Sequence, residues 1–116
     1  VHVIQGPEGP ITSVPVERIV ERTLGLRRVA AVGVGPAGSQ QLVVVIEDPT
    51  AVDGPAASDV AAAVRKAVSA PVASVLTVSK LPVDIRHNAK IDRALVASWA
   101  SDVLAGRGAK RLTRRW

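Results

Sequence analysis

Apolar positions along the chain follow two periods, and the switches between them mark out the elements. Val29 to Val34, Leu42 to Glu47 and Val72 to Ser79 are short runs dominated by valine, leucine and isoleucine. Short β-branched runs bounded by Gly, Pro or Ser predict strands. Elsewhere the apolar residues recur at helical spacing. One set is Val16, Ile19, Val20 and Leu24, a second is Val60, Ala61, Val64 and Val68, and a third is Leu95, Val96, Trp99, Val103 and Leu104. Each is the stripe of an amphipathic helix.

Stop and start signals refine these bounds. Pro15 suits the first helical position, where its missing N–H loses nothing, and Gly25 closes that helix. Glu17 and Glu21 lie toward its positive end. Ser58 is placed to cap a helix over Asp59 to Val68, with Arg65 and Lys66 in its last turns and Pro71 beyond it. Asp92 is placed to cap the third helix, and Gly106 and Gly108 stop it. Ahead of all three, Val1 to Gln5 and Ile11 to Val14 flank Gly6-Pro7-Glu8-Gly9-Pro10, which predicts a hairpin. Asp48 to Pro55 is expected to be a loop. The order is hairpin, helix, strand, strand, helix, strand, loop, helix. That is an α+β fold: a small N-terminal β-hairpin, then a three-stranded sheet packed with three helices.

Composition changes this picture little. A chain of 116 residues makes one domain, and with 47% apolar but only 2% aromatic residues its core must be built from Val, Ala, Leu and Ile. No cysteine means no disulfide and no thiolate chemistry, which fits a cytoplasmic location. No apolar run is long enough for a transmembrane segment, and no signal-peptide layout opens the chain. The chain starts in a strand-like run without methionine, which suggests a piece cut from a longer polypeptide. Net charge is +5, but Arg107, Lys110, Arg111, Arg114 and Arg115 crowd the last ten residues. Without those five, basic and acidic side chains balance at ten each. The excess is a basic tail, solvated at a chain end, and no nucleic-acid partner is expected.

Candidate chemistry is sparse outside one segment. Gly33 to Gly38 spells G-x-G-x-x-G, yet a strand rather than a helix follows, and Pro36 removes a donor, so a hairpin turn is the better account. His2 has no second ligand near it in sequence, and two histidines without cysteine do not predict a metal site. Trp99 is expected as a core anchor rather than a binding platform. The exception is Leu81 to Arg93, L-P-V-D-I-R-H-N-A-K-I-D-R, which places Asp84, Arg86, His87, Asn88, Lys90 and Asp92 in a loop between the last strand and the last helix. Arg86, His87 and Asn88 have two readings. They shape the mouth over a nucleotide or substrate, or, with Asp84, they fix the loop through side-chain to backbone bonds.

This segment resembles the closing motif of the adenylate-forming enzymes (AMP-binding, acyl-CoA synthetase-like), usually L-P-x-T-x-x-G-K-I-x-R. The D-I-R-H-N-A-K-I variant, followed by a helix containing Trp99, resembles more narrowly the β-lactone synthetases of bacterial olefin biosynthesis. Here Ala89 replaces the glycine, and His87-Asn88 replaces the usual approach. Pro15 to Glu17 is similar to the P-x-E-I-E segment that opens the C-terminal domain of that family. The resemblance covers nearly the whole chain. It implies that residues 1–105 are a mobile C-terminal lid domain and 106–116 a basic C-terminal tail. It also implies that Lys90 is the catalytic lysine, with Asp84, Arg86, His87 and Asn88 near the substrate or nucleotide. ATP with Mg²⁺ would be bound mainly by a large N-terminal adenylation domain of the same chain. The substrate would be a fatty acid or β-hydroxy acid, and the isolated chain would be inactive. Two alternatives stay open: the C-terminal domain of a fatty acyl-CoA synthetase, and a free-standing basic α+β binding module.

Overall fold

A computed structural model describes residues 3–25, 28–36, 38–84 and 90–106. An antiparallel hairpin of β1 (Val3–Gly6) and β2 (Gly9–Thr12) leads into helix α1 (Ser13–Leu24). Strands β3 (Val29–Val34) and β4 (Gln41–Glu47) follow, then a two-residue strand β5 (Gly54–Pro55), helix α2 (Ser58–Ala67) and strand β6 (Val72–Val78). A short pair, β7 (Val83–Asp84) and β8 (Lys90–Ile91), precedes helix α3 (Arg93–Leu104).

The sheet order is β3-β4-β6-β5, with β4 and β6 parallel and the outer pairs antiparallel. Central β4 is buried from Leu42 to Ile46, because helices cover both faces. Alternation along each strand sorts the core into two layers. Val29, Ala31, Leu42, Val44, Ile46 and Val75 face Val16 and Val20 of α1 and Val64 of α2. Ala30, Val32, Val43, Val45, Leu76 and Val78 face Val96, Trp99 and Ala100 of α3. Trp99 is therefore a core anchor, as expected.

The α+β architecture agrees with the sequence reading, with a fourth strand in the main sheet and the added β7–β8 pair. Asp48 to Pro55, expected as a loop, contains β5, which pairs with Leu76 and Thr77. The Thr77 hydroxyl donates to the Val52 carbonyl at 3.1 Å, and Asp53 accepts from the Ser79 N–H at 2.9 Å. These bonds hold an extended segment whose Gly and Pro would not select a strand by themselves. Smaller shifts occur at helix starts. α1 begins at Ser13, so Pro15 is its third residue rather than its first. α2 begins at Ser58, which leaves Ala57 at the cap position with no side-chain bond. Gly25 caps α1 at φ 91°, as its position implied.

The hairpin docks on the start of the sheet through Gln40. Its N–H donates to the Gln5 carbonyl at 2.9 Å, and its Oε1 accepts from the Gln5 N–H at 2.8 Å. Gly33 makes room for this: a Cβ there would lie 2.7 Å from Gln40 Oε1 and 2.8 Å from the buried Ile4 Cγ2. Gly33→Ala is therefore expected to cost about 1–3 kcal/mol, as overpacking does. Chemical denaturation of the chain checks this, and an unchanged midpoint would count against the close docking.

Candidate functional site

The segment from Leu81 to Arg93 leaves the sheet at the end of β6 and returns at the start of α3. Glu47, closing β4, accepts from the Leu81 N–H at 2.8 Å, and the Leu81 side chain is fully buried. Val83 and Asp84 then pair with Ile91 and Lys90 in an antiparallel ladder. What was expected to be a loop thus has a short strand on each side. Strand alternation turns Ile91 toward the α3 layer and leaves Lys90 exposed.

The next residues tie the strand to the helix. The Asp92 N–H donates to the Pro82 carbonyl at 2.9 Å. The Asp92 carboxylate accepts from the Leu95 N–H at 3.1 Å, the capping role expected of it. Lys90 is therefore exposed on a strand paired to β7 and tied to α3 through Asp92. An ammonium on a flexible four-carbon stem at such a point can reach an anion outside the domain. Of the other expected site residues, Asp84 contributes the backbone of β7, while Arg86, His87 and Asn88 lie outside the described residues. The tail from Arg107 onward lies outside them too.

Two residues that the sequence does not mark as part of the site complete the arrangement. Glu17 is 5% exposed, and its Oε2 accepts from the Ala31 N–H and from Arg93 Nε, both at 2.8 Å. Arg93 Nη2 donates to Glu17 Oε1, which makes the pair two-pronged. The hydrogen bond that Arg93 donates to Glu17 raises its already high pKa, against the lowering effect of burial, and the charge of Glu17 adds to the rise. Glu17 was expected near the helix N-terminus as a dipole partner. It sits instead on the inward stripe, one residue after Val16 and three before Val20. That spacing was the available signal, because a carboxylate among buried valines requires a partner.

An open cleft of about 490 Å³ lies elsewhere, between the hairpin and the starts of β4 and β6. Pro7, Pro10, Gln41, Ser69 and Pro71 are among its lining residues. Lys90 is not part of it, since its segment is tied to the other end of β4 through Glu47. The G-x-G-x-x-G stretch joins β3 to β4 as a turn, where the Ser39 N–H donates to the Pro36 carbonyl at 3.0 Å. No helix follows it.

Comparison with known proteins bears on what Lys90 and its surroundings are for. The chain is 39% identical over 105 residues, 86% of its length, to the olefin β-lactone synthetase of Xanthomonas campestris pv. campestris. It is 37% identical over 107 residues, 90% of its length, to the olefin β-lactone synthetase of Stenotrophomonas maltophilia. This chain is a homologue of the olefin β-lactone synthetases. It spans 19% of the length of each of those synthetases. No family model matches it. The likeness to β-lactone synthetases therefore rests on most of this chain and on a minor part of each relative. Among the described residues no helix is long and apolar enough to cross a membrane.

Proposed function

We propose that residues 1–105 form the mobile C-terminal lid domain of an ATP-dependent, AMP-forming ligase, with 106–116 a basic tail. The whole enzyme adenylates a fatty-acid-type carboxylate, most specifically a β-hydroxy acid that becomes a β-lactone. What supports this is exposed Lys90 on a fixed strand end, in a chain 39% identical to an olefin β-lactone synthetase.

In the first step a carboxylate oxygen attacks the α-phosphorus of ATP, the bond to the β-phosphate oxygen breaks, and pyrophosphate leaves. Negative charge is shared between the entering carboxylate and the phosphoryl oxygens. The Lys90 ammonium is the group of this chain that meets that charge, and preorganised charge of this kind is a large catalytic contribution. In the second step the β-hydroxyl oxygen attacks the acyl carbon, its proton is lost, and AMP leaves as the ring closes. Among the described residues no three His, Cys, Asp or Glu side chains gather as a metal site. Mg²⁺ would accompany the nucleotide in the N-terminal domain, so the chain alone does not carry out adenylation. Both steps belong in a cytoplasmic enzyme supplied with ATP.

The test uses the full-length enzyme with ATP, Mg²⁺ and a β-hydroxy fatty acid, without coenzyme A. Formation of β-lactone, AMP and pyrophosphate in equal amounts is the expected result. A product that appears only when coenzyme A is added, as a thioester, would replace this reading with a fatty acyl-CoA synthetase.

A further inference from the structure

The two segments that resemble the adenylate-forming enzymes, Pro15 to Glu17 and Lys90 to Arg93, are separated by more than half the chain. The fold brings their charged ends into one contact. α1 lies on one face of the sheet and α3 on the other, and both pack against β3, an edge strand. The outward N–H of Ala31 on that edge donates to Glu17 Oε2. Arg93, the first residue of α3, reaches the same carboxylate through Nε and Nη2. One carboxylate therefore joins α1, the free edge of β3 and the start of α3.

We propose that Glu17 and Arg93 are positioning residues for Lys90. This rests on the ligase reading of Lys90. β8 runs into α3 with only Asp92 between them, so the placement of Arg93 fixes the direction in which β8 delivers Lys90. The other described tethers are a two-residue ladder to β7, the Asp92 N–H bond to Pro82, the Asp92 cap on the Leu95 N–H, the packing of Ile91 and that of α3 on the sheet. None of them refers Lys90 to α1. The Glu17–Arg93 contact does, and its two-pronged geometry restrains rotation as well as distance. A lysine that must meet a developing charge on a separate domain is sensitive to such placement, since displacements near 1 Å can cost about 100-fold in rate.

Four full-length enzymes test the inference: the parent, Lys90→Ala, Glu17→Gln and the double variant. Pyrophosphate release is measured across a range of carboxylic acid concentrations. Glu17→Gln keeps the shape and an acceptor for Ala31 but removes the charge that holds Arg93. It is expected to lower kcat for adenylation about 10- to 100-fold, leaving KM for the acid within twofold. In the Lys90→Ala background it is expected to cause no further loss, because the group it positions is gone. Arg93→Lys, which keeps a cation but not the fork, is expected to give part of the same kcat loss and serves if Glu17→Gln does not fold. Equal fractional losses in both backgrounds, or no loss from either Glu17→Gln or Arg93→Lys, would overturn the positioning role while leaving Lys90 as the adenylation lysine. A Lys90→Ala enzyme as fast as the parent would remove the ligase reading itself, and the positioning role with it.

Discussion

Lys90→Ala in the full-length enzyme is expected to slow pyrophosphate release by on the order of 10²–10³, with little change in overall stability. The rate estimate follows from the role proposed for the side chain: one preorganised donor aimed at developing charge usually contributes that much. The small effect on stability follows from the fold. Lys90 is exposed, and its strand is held by backbone pairing with Asp84 and by the inward Ile91. Removing an exposed side chain of this kind changes stability by about 0.5 kcal/mol or less. The two readouts must therefore separate, with activity falling and the unfolding midpoint staying in place. Loss of both together would make Lys90 a structural residue. Loss of neither would leave it a solvated lysine beside a helix cap. Lys90→Arg sharpens the comparison, because it keeps the charge on a longer, planar group. Partial activity there would say that charge matters most, and none that the compact ammonium is needed.

Much of this architecture was legible because the strands announce themselves. Val29 to Val34 is the strand that its pattern marks out, and β4 and β6 differ from expectation by a residue at one end. Runs buried on both faces leave little ambiguity about where a strand lies. Features set by tertiary contacts were less accessible. Gly54 and Pro55 make a poor local case for a strand, and β5 exists because β6 and the Thr77 hydroxyl hold it there. Pro15 signalled the first turn of α1 but not its first residue. All N–H groups of an opening turn lack helical partners, so proline fits several positions there equally well. In α3, Leu95 and Leu104 belong to the apolar stripe yet are 40% and 45% exposed, while the small Ala100 is buried. A helix lying close on a sheet selects small side chains at the contact, which hydrophobic spacing alone does not report.

The candidate site divides in the same way. Lys90 stood out because a motif points at it, and Asp92 because its carboxylate precedes a helical stripe. Arg93 closed the same motif, and Glu17 sat in the other, yet nothing in either segment says that they meet. Their contact depends on α1 and α3 approaching the β3 edge from opposite faces. That is a property of the strand order, and the strand order comes from pairing across long separations. A carboxylate on an apolar helix stripe was the local sign that such a partner must exist.

Breaking that contact from the arginine side is expected to have the largest effect on stability. Arg93→Met keeps much of the apolar stem and removes the guanidinium, which leaves Glu17 buried with the Ala31 N–H as its remaining donor among the contacts described. Removing one partner of a buried ion pair costs about 3–5 kcal/mol, because the other charge is stranded. The lower end, about 3 kcal/mol, is expected here, since the Arg93 side chain keeps 17% exposure against 6% for Glu17. Glu17→Gln should cost less, about 1–2 kcal/mol. Its amide oxygen still accepts a hydrogen bond, and the cation it releases is the partner nearer to water. The double variant should therefore lose less than the sum of the two, because Arg93→Met no longer strands a charge once residue 17 is neutral. Urea unfolding of the four chains measures all of this, with Arg22→Met, at an exposed position of α1, as the control expected to stay within about 0.5 kcal/mol. Losses that simply add, or an Arg93→Met chain no weaker than the Arg22→Met control, would mean that the pair is a surface contact. α3 would then be held by Val96, Trp99 and Ala100 alone.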